Sequence, residues 1–382
     1  MQRLTVPYVI FEATGSATWV GIATAAQFLP QVATLPLSGF IADHRPRRSV
    51  LLATQTTLAA LATALWLMWI LGIHAPISMF LIIGVIGMVW GINETSSQAI
   101  VNDLAPGKDL LSAVTFNSLQ YSGARAIGPG VAGLLLALGG PSWALGLYAV
   151  SFYGLILALI SIRAGRTAAV AVKESGVTRG FFDAVRYAWN QPGITLALAL
   201  LFVIGFLANP IIGFTIVFAG LVYDVGPLQL GLLNVALGVG AVVAAPIVVK
   251  MKSGRVSRTT LVALAIYSPI VVAFGLAHSY WVGLACLVLV GGCHLALTAS
   301  LNTSIQVIVA DRFRGRVFAL RILTLIVSFP LGSLALGYLS DRIGPQTTVI
   351  LSGAALATTW LVALFLRGRF SMSRLNDQHD AR

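Results

Sequence analysis

Charged side chains are scarce in this chain: Asp, Glu, Lys and Arg make up 9% of its 382 residues. A water-soluble domain carries about 25%, so a soluble globular fold is excluded. Acids are the scarcer sign, 12 against 24 Lys and Arg. The two cysteines, Cys286 and Cys293, fall inside one apolar stretch. They read as small interior residues rather than a disulfide or metal pair. No His, Cys, Asp or Glu residues stand at metal-ligand spacing, no nucleophile is set beside a base, and no phosphate-binding Gly-Lys-Ser/Thr loop occurs. Neither an enzyme nor an ATP-driven pump is expected, and no bound cofactor or metal is called for.

What is abundant is apolar length. Hydrophobic residues make up 58% of the chain, gathered into runs of the roughly 20 residues that cross a bilayer. The expected spans are 17–42, 49–70, 76–99, 112–137, 143–162, 194–221, 228–249, 259–277, 279–305, 317–339 and 346–366, with an apolar fragment at Leu4–Phe11. Basic charge is concentrated in every second gap. Asp43–Arg48, Arg163–Arg186, Lys250–Arg258 and Asp311–Arg316 are basic, whereas Leu71–Ala75, Leu138–Ser142 and Leu276–Trp281 contain no Lys or Arg. Because Lys and Arg near span ends stay in the cytoplasm, the chain weaves across a membrane with Arg48, Arg179 and Arg255 inside and Gly139 and Ser279 outside. Twenty of the 24 basic residues lie in the inner gaps and tail. Topology therefore explains the +12 net charge. Nucleic acid is not an expected partner, and the lipid bilayer is. The expected location is a plasma membrane of the bacterial inner-membrane kind, multi-pass.

The longest polar stretch, 163–193, divides a half at 1–162 from a half at 194–366, with a tail at 367–382. Within it Phe182, Val185 and Trp189 recur at helical spacing among Asp183, Arg186 and Asn190, the pattern of a helix lying along the membrane surface. The halves are related. Sliding the first by 210 residues brings Gly21 to Gly231, Pro36 to Pro246, Arg45 to Arg255 and Arg48 to Arg258. Duplicated halves of membrane helices are a transporter plan with the cargo site at the repeat interface. The same register moves span 194–221 to about sixteen residues before Met1. Leu4–Phe11 is then expected to be the outer end of a truncated first helix.

Two motifs sharpen the reading. Gly39-Phe-Ile-Ala-Asp43-His-Arg-Pro-Arg47-Arg48 closes the first full span. Its carboxylate stands at a helix end, where it can face the positive N-terminus of another helix. Gly39, Asp43, Arg47 and Arg48 resemble the loop 2–3 motif of the major facilitator superfamily, with His44 and Pro46 replacing its usual arginine and glycine. The second motif, Gly123-Ala-Arg125-Ala-Ile-Gly128-Pro129-Gly130-Val-Ala-Gly133, permits close helix contact at its glycines and a bend at Pro129. Gly128, Pro129 and Gly133 resemble the glycine–proline motif of superfamily antiporters, where it is associated with export; a packing kink is the plainer reading. With the preceding Asp109–Gln120 segment, this stretch is similar to the branch containing the enterobactin exporter and macrolide efflux proteins. The resemblance implies an all-α fold of two six-helix halves, helix 1 being truncated here, that rock against one another. It also implies Asp43 as a cytoplasmic latch on the helix starting at Val317.

Ionisable groups inside spans mark candidate coupling sites. Arg125 lies about fourteen residues, or roughly 20 Å, from the inner gap. Glu94 is the nearest interior carboxylate in sequence, and a structural Arg–Glu pair is the alternative for both. His294 and Arg321 are further candidates; an ordinary interior histidine and an arginine snorkelling to the cytoplasmic surface are the alternatives. Gln27, Asn93, Asn117, Gln120, Tyr121, Phe206, Asn209, Asn234 and Asn302 are candidates to line a cavity, or else to bond between helices.

The resulting expectation is a monomeric secondary transporter that exports an amphipathic small molecule, siderophore- or drug-like, using the proton gradient. Uptake, lipid flipping, and a non-transporting membrane sensor or scaffold remain alternatives.

Overall fold

The computed structural model describes residues 1–104, 110–161, 177–250, 255–366 and 371–376. These residues form helices, with no strand among them. In chain order the helices are α1 Gln2–Thr14, α2 Ala17–His44, α3 Arg47–Ile70, α4 Pro76–Leu104, α5 Leu110–Ser161, α6 Val177–Asn190, α7 Pro192–Leu207, α8 Pro210–Leu221, α9 Pro227–Val249, α10 Val256–Leu276, α11 Tyr280–Ile308, α12 Arg314–Ile343 and α13 Pro345–Phe365. Nine spans among the described residues are long and apolar enough to cross a membrane. Helix is what an apolar solvent imposes, because each backbone N–H and C=O must then find its partner within the segment.

α5 holds two of the expected spans. It is interrupted at Gly140, whose φ of 67° and ψ of −168° are open to glycine alone, within the uncharged outer gap expected at Leu138–Ser142. The expected single span 194–221 is two helices, α7 and α8, because Pro210 has no N–H to continue the ladder. The polar stretch expected on the cytoplasmic side contains α6, which exposes Phe182, Val185 and Trp189 and buries Ala184 and Ala188.

The chain separates into two compact units, one of Met1–Gly15 with Ile22–Glu174 and one of Ser16–Gly21 with Ser175–Arg382. In the first, α3 is packed by α4 and α5 around Leu58, Ala62, Ile86, Ala149 and Phe152. Arg48, one of the basic loop residues, has a defined bond partner. Its Nε and one terminal nitrogen donate to the carbonyls of Leu159 and Ile160 at 3.1 and 3.0 Å. It thus satisfies the end of α5 and complements that end's negative dipole.

In the second unit α9 and α11 approach most closely through glycines. A β-carbon on Gly240 would run into the carbonyl of Val288, and one on Gly291 into that of Leu237. Without a hydrophobic driving force between helices in lipid, close backbone contact carries the packing. The segment Met372–Asn376 folds back onto this unit. The Asn376 side-chain oxygen accepts from the Ser257 N–H at 3.0 Å at the start of α10, and the Ser304 hydroxyl donates to the Leu375 carbonyl at 2.8 Å.

Gly240→Ala is expected to destabilise the protein by about 1–3 kcal/mol or more, read as a lowered melting temperature in detergent. Gly213→Ala, in α8 with nothing within 4 Å of the added carbon, should leave it unchanged or raise it.

Candidate functional site

Breaks in a membrane helix are where polar backbone can meet a cargo, and the second unit has one. At Ala208–Asn209 the N–H groups of both residues turn back onto the Ile204 carbonyl, at 2.9 and 3.1 Å, and Pro210 then starts α8. The kink frees carbonyls that a continuous helix would have used. That of Leu207 accepts from the Ser352 hydroxyl of α13 at 2.6 Å. Phe206, beside the break, stacks on Phe202 with ring centroids 6.1 Å apart, while Gly332 of α12 lies against its carbonyl. Asn209 is half-buried at the corner. Asn-Pro is a recognisable breaker in the sequence. Ser352 carries no such signal, because its role depends on which helix happens to pass the freed carbonyl.

The polar residues expected to line a cavity divide by how their hydrogen bonds are used. Asn93 is 4% exposed, and its side-chain oxygen accepts from Thr54 and Gln55, both at 3.0 Å. It therefore ties α4 to α3. Asn234 donates to the Thr215 hydroxyl at 3.0 Å and to the Leu230 carbonyl at 3.1 Å, tying α9 to α8. These two make the bonds of interhelical struts. By contrast, the side-chain oxygen of Asn302 on α11 is buried without a hydrogen-bond partner. Asn117 and Gln120 are exposed on α5, and Gln27 on α2 is half-buried.

Among the ionisable candidates, Glu94 is half-buried on α4 and engaged by neighbours. His294 is half-buried on α11, its ring 6.3 Å from the fully buried Tyr267 ring. Arg321 lies two turns into α12, with its Nε buried and unpartnered. The side chains of Arg125, Tyr121, Gly39 and Asp43 lie outside the described residues; Arg47 is half-buried and engaged. Gly128 and Pro129 are half-buried within α5, where Pro129 is accommodated without ending the helix.

One carboxylate was not singled out in the sequence. Asp341, in the last turn of α12, accepts from the Ser16 hydroxyl and from the N–H groups of Ala17 and Thr18, the latter two at 2.7 and 3.0 Å. It caps the first turn of α2, which belongs to the same unit. The signal was available: an acid at the C-terminal end of its own helix opposes that helix's dipole and is best satisfied by the N-terminus of another.

Among the described residues no group of three or more His, Cys, Asp or Glu is placed to hold a metal ion. The arrangement offers polar groups along membrane helices and a broken helix, features suited to passing a solute.

Comparison with known proteins agrees with that reading. The family model described as transmembrane secretion effector, of the major facilitator superfamily, matches residues 1–380. The enterobactin exporter EntS of Citrobacter koseri is 24% identical over 97% of this chain and 88% of its own. The multidrug efflux pump Tap of Mycolicibacterium fortuitum is 25% identical over 94% and 90%. The crystal structure of a bacterial homologue of the human lysosomal transporter Spinster, inward-facing and unoccupied, superposes with a TM-score of 0.73 at 15% identity, covering 100% of this chain and 96% of its own. That of a D-xylose–proton symporter gives 0.73 at 13%, covering 97% and 93%.

Ser352→Ala leaves the Leu207 carbonyl without its donor and is expected to cost about 1–3 kcal/mol. Asp341→Ala removes a helix cap worth about 0.5–2 kcal/mol. Thermal unfolding of each purified variant in detergent checks both.

Proposed function

The chain belongs to the transmembrane secretion effector family of the major facilitator superfamily, and from that premise we propose that it exports an amphipathic organic compound by alternating access, driven by proton antiport. It is a multi-pass membrane transporter of a small-molecule substrate, not an enzyme. The observation that carries the direction is the likeness over nearly the whole chain to two proteins named for outward transport, an exporter and an efflux pump. The glycine–proline cluster Gly128, Pro129 and Gly133 supports the same direction. Antiport is supported by the interior ionisable groups. An arginine at mid-membrane, Arg125, is expensive unless it serves charge in the transport path, and Glu94 and His294 are residues able to exchange a proton. Asp43, with Arg47 and Arg48, is the cytoplasmic gating element. A bacterial inner membrane is the location in which a proton gradient of the required sense exists, and a monomer is the working unit.

The test is proton-gradient-dependent uptake into inside-out vesicles, screened over siderophores and macrolides. Accumulation by the wild type, collapsed by a protonophore, is expected. Arg125→Leu should abolish it while the protein still purifies, and Glu94→Gln should uncouple it from the gradient. Flux in the opposite sense would replace export with uptake, and its absence across the screen would favour a sensor or scaffold.

A further inference from the structure

Resting on the export reading, we infer that Arg321 is the recognition group for a negatively charged cargo, so that the exported compound is an amphipathic organic anion. Arg321 is placed seven residues past Arg314, where α12 begins, which is about 10 Å along the helix axis. Val317, Arg321, Thr324 and Ser328 follow one another at intervals of four, three and four residues, forming a single stripe of the helix. Val317 and Ser328 on that stripe are fully buried, whereas Ile322, one position off it, is 45% exposed. The stripe therefore faces protein and not lipid. A β-carbon on Gly205 of α7 would meet the Ser328 hydroxyl, which identifies α7 as the neighbour two turns further along.

Among the described residues of its unit no carboxylate is paired with the Arg321 guanidinium. An arginine keeps its charge in any protein environment and has only donors to offer. The Nε of Arg321 is buried with no acceptor, and the side chain as a whole is half-buried. The sequence holds no Asp or Glu from 225 to 310 or from 312 to 340. The remaining described acids of the unit are exposed or bonded to other groups. Asp183 is on α6 and Asp224 in the turn before α9. Asp311 pairs with Arg314 at 2.8 Å, and Asp341 caps the start of α2. α7 carries no ionisable side chain at all. A buried guanidinium N–H left without an acceptor costs free energy. A replacement by Leu or Met would remove that penalty, so the arginine is explained if an anion arrives there in function.

The planar fork of a guanidinium matches a carboxylate or similar oxyanion with two parallel hydrogen bonds. The apolar surroundings supplied by α7 suit the remainder of an amphipathic molecule.

The experiment uses the purified full chain and two matched pairs of probes that differ only in charge: dansylglycine with dansylglycinamide, and salicylate with salicylamide. Affinity is read by ligand-induced thermal stabilisation in detergent, and flux in inside-out proteoliposomes. The wild type is expected to prefer the carboxylate of at least one pair by about tenfold or more. Arg321→Gln should remain folded and lose the preference, and Arg321→Lys, which keeps charge but not the fork, should retain part of it. Absence of any preference in the wild type overturns the inference, as does a full preference in Arg321→Gln. Should Arg321→Gln fail to purify, the wild-type preference and its reduction in Arg321→Lys decide the matter. Preference without flux leaves the anion site standing and removes the export reading; flux of the neutral probe alone does the reverse.

Discussion

The bilayer interior offers no hydrogen bonds, and the rest of this structure follows from that constraint. Every polar group placed there must be satisfied by protein, must be moved to an end, or must wait for something that enters. The first demand produces the helices. The second puts nearly all the basic residues in the gaps between spans and in the tail. Arg48 shows that this placement is more than an orientation signal, since its guanidinium satisfies carbonyls at the end of α5. The third leaves a short set of interior groups whose bonds are unspent.

The break between α7 and α8 shows the constraint being met at close range. The break at Pro210 turns the Ile211 N–H onto the Ala208 carbonyl, and the Leu207 carbonyl thus freed accepts from the Ser352 hydroxyl. The capping of α2 by Asp341 is the same exchange at a helix end. In both cases one helix supplies what another lacks, so the helices are fixed by hydrogen bonds as well as by glycine contacts such as Gly240 on Val288.

Much of this was legible in the sequence. The length and spacing of apolar runs and the spacing of Phe182, Val185 and Trp189 have the periodicity that marks helices directly. The family was legible from Gly39, Asp43, Arg47 and Arg48 and from the cluster around Pro129. The split of 194–221 into two helices was not read, although Asn209-Pro210 announced it, because proline elsewhere in the chain, at Pro246 and Pro330, stays inside a continuous helix. The fate of each polar residue was not legible either. Asn93, Asn234 and Asn302 look alike in sequence. Two are bonded across helices and one has an unused oxygen, and that difference depends on which side chains the fold brings opposite them.

The central claim is that bonded interior polar groups hold the fold while unbonded ones serve the cargo. It is tested most directly by comparing Asn234→Leu with Asn302→Leu for melting temperature and for transport. The account predicts that Asn234→Leu lowers the melting temperature, because it leaves Thr215 and the Leu230 carbonyl without their donor. Asn302→Leu should keep or raise it while reducing flux. A stable, fully active Asn234→Leu beside an unstable Asn302→Leu would contradict the account.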